Sequence, residues 1–180
     1  MTLQIDGHTN TSLLSLHIPS LPIKTMQFHP SGSSILLTGS RPFYYTYDLR
    51  SQRCIRSSKN LLSNSSSSDP GSTYSMDKTV FSPDGSVLAV AGRRGIVTLL
   101  AWGPGGSGQL LTTLKSGRTG GVQDMMWRNG GKELWVLGEG SEVDVWDLGE
   151  RRCVARWKDQ GGFGGKLLRG SRNGDYCAVA

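Results

Sequence analysis

The sequence predicts an all-β fold assembled from a repeated unit of short strands. Glycine is abundant, with 25 copies in 180 residues, whereas hydrophobic residues make up only 36% of the chain. This balance favours many short strands joined by turns over long helices. Apolar runs of strand length alternate with turns that contain glycine, proline, asparagine or aspartate. The observation that decides the class is the regular spacing of a small set of residues along the chain.

The repeat is clearest in the stretch Lys132–Cys153, where two apolar runs flank a glycine-rich turn and lead to a Trp-Asp pair. A glycine, an aromatic residue, an aspartate and a cysteine follow the turn glycine at fixed offsets twice in the chain, and partly a third time. Agreement at four offsets indicates an internal repeat. The positions are Gly138, Trp146, Asp147 and Cys153 after Gly131; Gly39, Tyr47, Asp48 and Cys54 after Gly32; and Gly92, Leu100 and Ala101 after Gly85.

Each residue of this signature suits a turn or a strand. The turn glycines permit a positive φ, which other residues adopt only at a cost. The aspartate after the aromatic residue can accept backbone N–H bonds at the end of its strand and so fix the turn. We expect the signature cysteines to pack in the core. The same is expected of the aromatic residues at strand positions, Tyr47, Trp127, Trp146 and Trp157.

The repeat also divides the chain into units. The serine-rich stretch 63–73 cannot supply a core and is expected to form a loop. The stretch Gly103–Gly108 lacks the ending of a phosphate-binding loop and is expected to be a flexible connector. The predicted segments are the end of one unit at 1–20, full units at 21–62, 74–116 and 117–160, and the start of the next at 161–180.

Units of four strands, roughly 40–45 residues long and closed by Trp-Asp, are typical of the WD40 blades of a β-propeller. Each blade has two apolar faces, and only neighbouring blades can cover them. A propeller typically needs about 4–8 blades to close. The sequence therefore predicts an incomplete ring of about three full blades with partial blades at both ends. We expect this segment to be unstable without the missing blades.

Beyond the repeat, several stretches resemble the U3 small nucleolar RNA-associated protein 18 family of WD-repeat proteins. This resemblance covers nearly the whole chain, although its individual motifs are short. The sequence departs from the family at Ala101, in its long serine-rich insert, and in the absence of the family's extended N-terminal region. The similar stretches are 6–10 with 14–18, 28–30, 43–49, 157–161 and 171–176.

The resemblance implies a non-catalytic scaffold subunit of a ribosome-biogenesis particle, the small-subunit processome, located in the nucleolus of the nucleus. Its implied role is pre-rRNA processing through contacts with other WD-repeat proteins, and with pre-rRNA or snoRNA. It implies neither a cofactor nor a small-molecule substrate. Because the family's N-terminal region carries the peptide that recruits RNA-degradation machinery, that activity is not expected of this chain.

The sequence offers no combination of residues typical of catalysis or metal binding. His8, His17 and His29 are scattered and lie outside known nucleophile motifs, and His29 occupies a turn position. The three cysteines are far apart, so no metal-ligand spacing occurs. No apolar run reaches membrane length, and residues 1–20 lack the pattern of a signal peptide. We therefore predict no enzyme, no cofactor and no membrane contact.

The net charge of +6 is compatible with a polyanionic partner. If the blades form, Arg41, Arg93, Arg94 and Arg118 fall in loops at one rim, where they could contact RNA or a protein partner. Arg93 and Arg94 are the preferred pair because no acidic residue flanks them. The alternative is that all four are ordinary solvated charges. A second set falls at the opposite rim: Arg50, Arg53, Arg151, Arg152 and Arg172.

Two other functions remain open at the level of the sequence. One is a propeller that reads a short peptide, such as the substrate receptor of a ubiquitin ligase. The other is an enzyme, which is disfavoured because no acid–base constellation is present. The fold itself does not decide between a scaffold and a peptide reader.

Overall fold

The structure is a computed structural model of an all-β chain. It describes residues 2–5, 12–15, 23–39, 44–58, 76–92, 95–103, 105–115, 120–158, 160–161, 164–171 and 176–180. The strands of this part of the chain are β1 (Thr2–Ile5), β2 (Ser12–Ser15), β3 (Ile23–Phe28), β4 (Ser34–Gly39), β5 (Tyr44–Asp48), β6 (Arg53–Ser58), β7 (Lys78–Phe81), β8 (Val87–Ala91), β9 (Ile96–Gly103), β10 (Ser107–Lys115), β11 (Val122–Arg128), β12 (Glu133–Gly138), β13 (Glu142–Asp147), β14 (Arg152–Lys158), β15 (Leu168–Gly170) and β16 (Cys177–Val179).

Within the described residues, these strands form three four-stranded antiparallel sheets and two strand pairs. Blade one is β3–β6, blade two is β7–β10 and blade three is β11–β14. In each blade the strands are hydrogen-bonded in sequence order. The pairs β1–β2 and β15–β16 precede and follow the blades along the chain. This is the predicted arrangement of repeated four-stranded units with partial units at both ends.

The first strands of successive blades lie side by side, since β3 contacts β7, β7 contacts β11, and β11 contacts β15. They therefore form the inner edge of a propeller segment. The outermost strands of the three blades are β6, β10 and β14. Among the described strands the segment does not close into a ring.

Turn chemistry explains why the first hairpin of each blade forms. The N–H of Gly32 donates to His29 O at 2.8 Å, and the N–H of Gly85 donates to Ser82 O at 2.9 Å. Both glycines have a positive φ, 71° and 76° respectively, and glycine adopts that region without a steric penalty. Blade three makes the same connection with the short 3-10 helix Asn129–Gly131.

The largest cores lie between blades, as the repeat predicts. Between blades one and two, Leu36 and Tyr44 pack with Phe81, Leu88 and Leu100. Between blades two and three, the buried cluster contains Ala89, Val97, Leu99, Met125, Leu134, Val136 and Trp146. Each blade is thus stabilised mainly by burying its faces against its neighbours, which is where most of the free energy of folding arises.

Two predictions about packing are wrong. Trp157 is not in the core, because 50% of its surface is exposed, and only the two-stranded pair β15–β16 follows blade three in the described part of the chain. Cys54 is exposed on the outer strand β6, whereas Cys153 packs against the core between blades two and three. The two cysteines occupy the same repeat position but have different neighbours. Tyr47 and Trp146 are buried and Trp127 is partly buried, as expected.

The stretch Gly103–Gly108 is also not the flexible connector that its composition suggested. Gly103 and Gly108 belong to β9 and β10, and Gly103 pairs with Ser107. The turn packs against blade one, since the hydroxyl of Tyr44 donates to Gly106 O at 3.1 Å. We call β9, β10 and this turn the blade-two hairpin. The predicted serine-rich loop at 63–73 lies outside the described residues.

In the described part of the chain, we find no helix that is both long and apolar enough to cross a membrane.

Candidate interaction surfaces

The signature aspartates fix the turn between the third and fourth strands of a blade. In blade one, Asp48 Oδ2 accepts a hydrogen bond from the N–H of Ser51 at 2.7 Å. In blade three, Asp147 Oδ1 accepts one from the N–H of Glu150 at 2.9 Å. Hydrogen bonding from Ser51 lowers the pKa of Asp48 below its usual value. The aspartates thus support the blade by fixing the turn before its last strand.

Blade two lacks this aspartate but keeps a backbone hydrogen bond that the residue after the aspartate position donates in all three blades. The N–H of Leu49 donates to Ser33 O at 2.9 Å, and the N–H of Leu148 donates to Lys132 O at 3.0 Å. In blade two the N–H of Trp102 donates to Ser86 O at 2.7 Å. In every blade this bond ties the residue after the aspartate position to the turn between the first two strands, and it therefore secures this end of blade two, where alanine replaces the aspartate.

The signature glycines Gly39 and Gly92 lie where one blade meets the next. Gly39 O accepts from the N–H of Met76 at 3.2 Å, and Gly92 O accepts from the N–H of Val122 at 3.4 Å. Gly138 pairs with Val122 inside blade three. Close by, the hydroxyls of Thr25 and Thr79 are 2.9 Å apart. These contacts join blade one to blade two, and blade two to blade three, at equivalent ends of the blades.

At the opposite end, the residue after the first strand reaches the next blade. His29 Nε2 donates to Gly85 O at 3.2 Å, and the His29 and Phe81 ring centroids are 5.1 Å apart. At the equivalent position in blade three, Arg128 Nη1 donates to Tyr176 O at 3.2 Å. His29 was expected to be a plain turn residue, so the sequence missed this contact. Only the shared repeat position could have pointed to it.

The guanidinium of Arg128 also lies 4.7 Å from the centroid of the Trp135 ring, within the range of a cation–π interaction. It borders a cleft of about 680 Å³ whose lining includes Pro83, Trp127 and Ser171. Glu133 reduces the positive charge of this cleft and accepts a hydrogen bond from Trp135 Nε1 at 3.0 Å. Arg128 and Glu133 both have partners within the protein. The cleft is therefore mainly a packing interface between blade three and β15–β16.

All four arginines predicted to contact RNA or a partner, Arg41, Arg93, Arg94 and Arg118, lie outside the described residues. The strands that flank them are described. Arg41 falls between β4 and β5, the Arg93–Arg94 pair between β8 and β9, and Arg118 between β10 and β11. Their flanking glycines Gly39 and Gly92 lie at the same end of the blades, as described above.

Four arginines of the opposite rim are described, and all are exposed. Arg50 and Arg53 flank the turn between β5 and β6. Arg152 belongs to β14 and pairs with Glu150 through a 2.5 Å contact. Pairing of this kind, between exposed groups, contributes little to stability. Arg172 lies outside the described residues.

Among the described residues, no group of three or more histidine, cysteine or acidic side chains is placed to hold a metal ion. The buried Asp144 is neutralised by Arg156, with 2.7 Å between Oδ1 and Nε, and this pairing raises the pKa of Arg156. Burial raises the pKa of Tyr47. These charged and polar groups therefore serve the packing of blades one and three.

Comparison with known proteins agrees with this architecture. A Schizosaccharomyces pombe protein, "Probable U3 small nucleolar RNA-associated protein 18", is 31% identical over 159 residues, which cover 88% of this chain and 28% of that protein. The chain is a WD40-repeat relative of the U3 small nucleolar RNA-associated protein 18 family. Homologues of that name from Arabidopsis thaliana and Homo sapiens are each 29% identical, over 175 and 181 residues that cover 97% of this chain.

The fold comparison points the same way. The crystal structure of RRP9 WD40 repeats superposes with a TM-score of 0.64 and 20% identity, covering 82% of this chain and 42% of that one. No family model matches the sequence. The chain spans only 28–30% of the length of the curated relatives named here.

Proposed function

We propose that the chain is a non-catalytic scaffold subunit of a ribosome-biogenesis particle that acts in small-subunit pre-rRNA processing. The observation that carries this proposal is the similarity of 88–97% of the chain to proteins named for association with U3 small nucleolar RNA. The proposed residence is accordingly the nucleolus of the nucleus. The proposed partners are other WD-repeat subunits of a processome subcomplex.

The architecture supports a scaffold because the polar groups of the repeat signature and of the contacts between blades are used internally. The signature aspartates accept backbone hydrogen bonds in turns, and His29 and Arg128 join neighbouring blades. Side chains committed to packing and turns leave the loops at the two rims as the surfaces for partners. Loops presented by a rigid framework are the usual carriers of binding in such folds.

We assign direct RNA contact to Arg41, Arg93, Arg94 and Arg118. The net charge of +6 supports this assignment, as does the position of all four in the sequence, between strands whose adjoining ends lie on the side of Gly39 and Gly92. Arginine pairs well with phosphate, and such contacts weaken as salt concentration rises.

The test is affinity purification of the tagged chain from cells, followed by detection of pre-ribosomal proteins and U3 RNA. Recovery of nucleolar small-subunit precursors is expected. Arg93→Glu combined with Arg94→Glu should reduce the recovered RNA, and Arg50→Glu combined with Arg53→Glu is the matched control at the opposite rim. Equal loss in both variants would reject the assigned surface.

Recovery of no pre-ribosomal component would reject the scaffold proposal. Binding restricted to one short peptide, with no RNA, would instead favour an adaptor of the kind that selects substrates for a ubiquitin ligase.

A further inference from the structure

The outer strand of blade two differs from the outer strands of its two neighbours. All three are edge strands, since β6, β10 and β14 each end a four-stranded sheet in the described part of the chain. β14 carries Arg152, Arg156 and Lys158, whose side chains are 50–69% exposed. β6 begins with Arg53, which is exposed. Charges of this kind discourage another strand from pairing with an edge.

β10 lacks that protection. Its sequence SGQLLTTLK has no charge before the final Lys115, although at nine residues it is the longest strand described. Leu110 and Leu111 are 47% and 53% exposed. The register with β9 shifts between Leu110 and Thr112, so Leu111 has no partner residue on β9. Two adjacent leucines are thus presented to solvent on an open edge.

An edge strand offers a defined kind of contact. Because β9 pairs with only one side of β10, alternate N–H and C=O groups of β10 point away from the sheet and can bind another extended chain. Added strands gain affinity from such backbone bonds and specificity from their side chains. The exposed leucines require apolar side chains opposite them.

The positive charge at the end of β10 favours an acidic partner segment. β10 ends at Lys115, and Arg118 follows three residues later in the sequence. In an antiparallel self-pair, the uncharged Ser107 end of the second copy would lie beside Lys115 and supply no acidic residue. The net charge of +6 on each copy would also repel the other. Acidic residues opposite Lys115 would instead be attracted.

We propose that β10 is a docking edge for an extended apolar segment of a partner protein that begins with acidic residues. Every sheet in the described part of the chain is antiparallel, and the incoming strand follows that pattern. Its N-terminal end then lies beside Lys115, which is why the acidic residues precede the apolar ones. This inference does not depend on the ribosomal assignment.

The probe is a fluorescently labelled peptide, Asp-Glu-Val-Thr-Leu-Thr-Val-Thr, titrated against the full chain and followed by anisotropy. Saturable binding is expected. Leu111→Lys should weaken it by about tenfold or more, because the new charge is buried against the peptide without a partner. Val154→Lys is the matched control, since Val154 is 43% exposed on the outer strand β14.

Two further measurements test the direction of the bound peptide and the location of its binding site. A peptide with the acidic pair moved to its C-terminal end should bind more weakly, and hydrogen exchange should slow in β10 when the first peptide binds. The proposal is overturned if wild type shows no saturable binding, if Val154→Lys weakens binding as much as Leu111→Lys, or if protection appears elsewhere. Concentration-dependent dimerisation of wild type that Leu111→Lys abolishes would also overturn it, in favour of self-pairing.

Discussion

At the scale of single residues, the turns of the blades are held by short polar contacts. Asp84 accepts hydrogen bonds from the hydroxyl of Ser82 at 2.5 Å and from the hydroxyl of Ser86 at 2.7 Å. These bonds stabilise the carboxylate and lower the pKa of Asp84 from 3.8 to about 2. The acid therefore stabilises the folded chain only while it is ionised.

This shift predicts a specific dependence of stability on pH. Since the folded chain binds the proton of Asp84 more weakly than the unfolded chain, the stabilising contribution is complete above about pH 4 and declines as the pH falls from there towards 2. Asp84→Asn should show a smaller loss of melting temperature over that interval than wild type. Equal slopes for both proteins between pH 4 and 2 would contradict the assignment.

Two turn glycines with nearly the same conformation provide a matched pair. Gly85 has φ +76°, and a Cβ there would lie 2.5 Å from His29 Nε2. Gly32 has φ +71°, with no atom within 4 Å of its Cβ position. Gly32→Ala should cost only the conformational term, about 1 kcal/mol of unfolding free energy. Gly85→Ala should cost more, because it also disrupts the contact between blades.

Urea unfolding of both variants measures the difference. Adding His29→Ala to Gly85→Ala should recover part of the extra loss, because it removes the clashing ring. If the two glycine variants prove equally stable, His29 does not join blades one and two as described.

At the scale of elements, the blade-two hairpin packs against blade one. Trp102 packs against Tyr44, with ring centroids 5.5 Å apart, and Gly106 meets Thr46 so closely that a Cβ would lie 2.8 Å from its side chain. Neither contact follows from periodicity, because a glycine-rich run in a sequence looks the same whether it is free or packed.

The packing of the blade-two hairpin against blade one can be tested with two adjacent glycines. Gly105 and Gly106 have φ values of +76° and +71°, but only Gly106 has an atom within 4 Å of its Cβ position. Gly106→Ala should therefore lower the melting temperature more than Gly105→Ala, and it should speed hydrogen exchange in β5. Equal melting temperatures for the two variants would show that the turn does not pack against blade one.

The elements also show what the sequence could and could not predict. The residues that repeat, such as the signature glycines, located the three four-stranded blades. The connector predicted at Gly103–Gly108 was too long, because β9 continues through Gly103 and β10 already begins at Ser107. The link between Thr38 Oγ1 and Met76 O, 3.0 Å long, joins residues 38 positions apart and has no sequence signature. Contacts between blades depend on the neighbour, so one repeat cannot reveal them.

At the scale of the whole molecule, stability should decrease from the middle blade outwards. Blade two packs against both neighbours, whereas β15–β16 is a two-stranded pair. Repeats that contact only their neighbours gain most of their stability from shared interfaces. Amides in β8 should exchange most slowly and those in β16 among the fastest, as measured by hydrogen–deuterium exchange. Uniform exchange rates across the strands would argue against this order.

The half-exposed Trp157 gives this segment a built-in optical signal. Its ring lies edge-on to Trp135, with centroids 4.7 Å apart, close enough for the two indole transitions to couple in circular dichroism. Water at the exposed edge should keep its fluorescence emission red-shifted. Any polypeptide that covers this face should shift the emission to shorter wavelength, so assembly on blade three can be followed without a label.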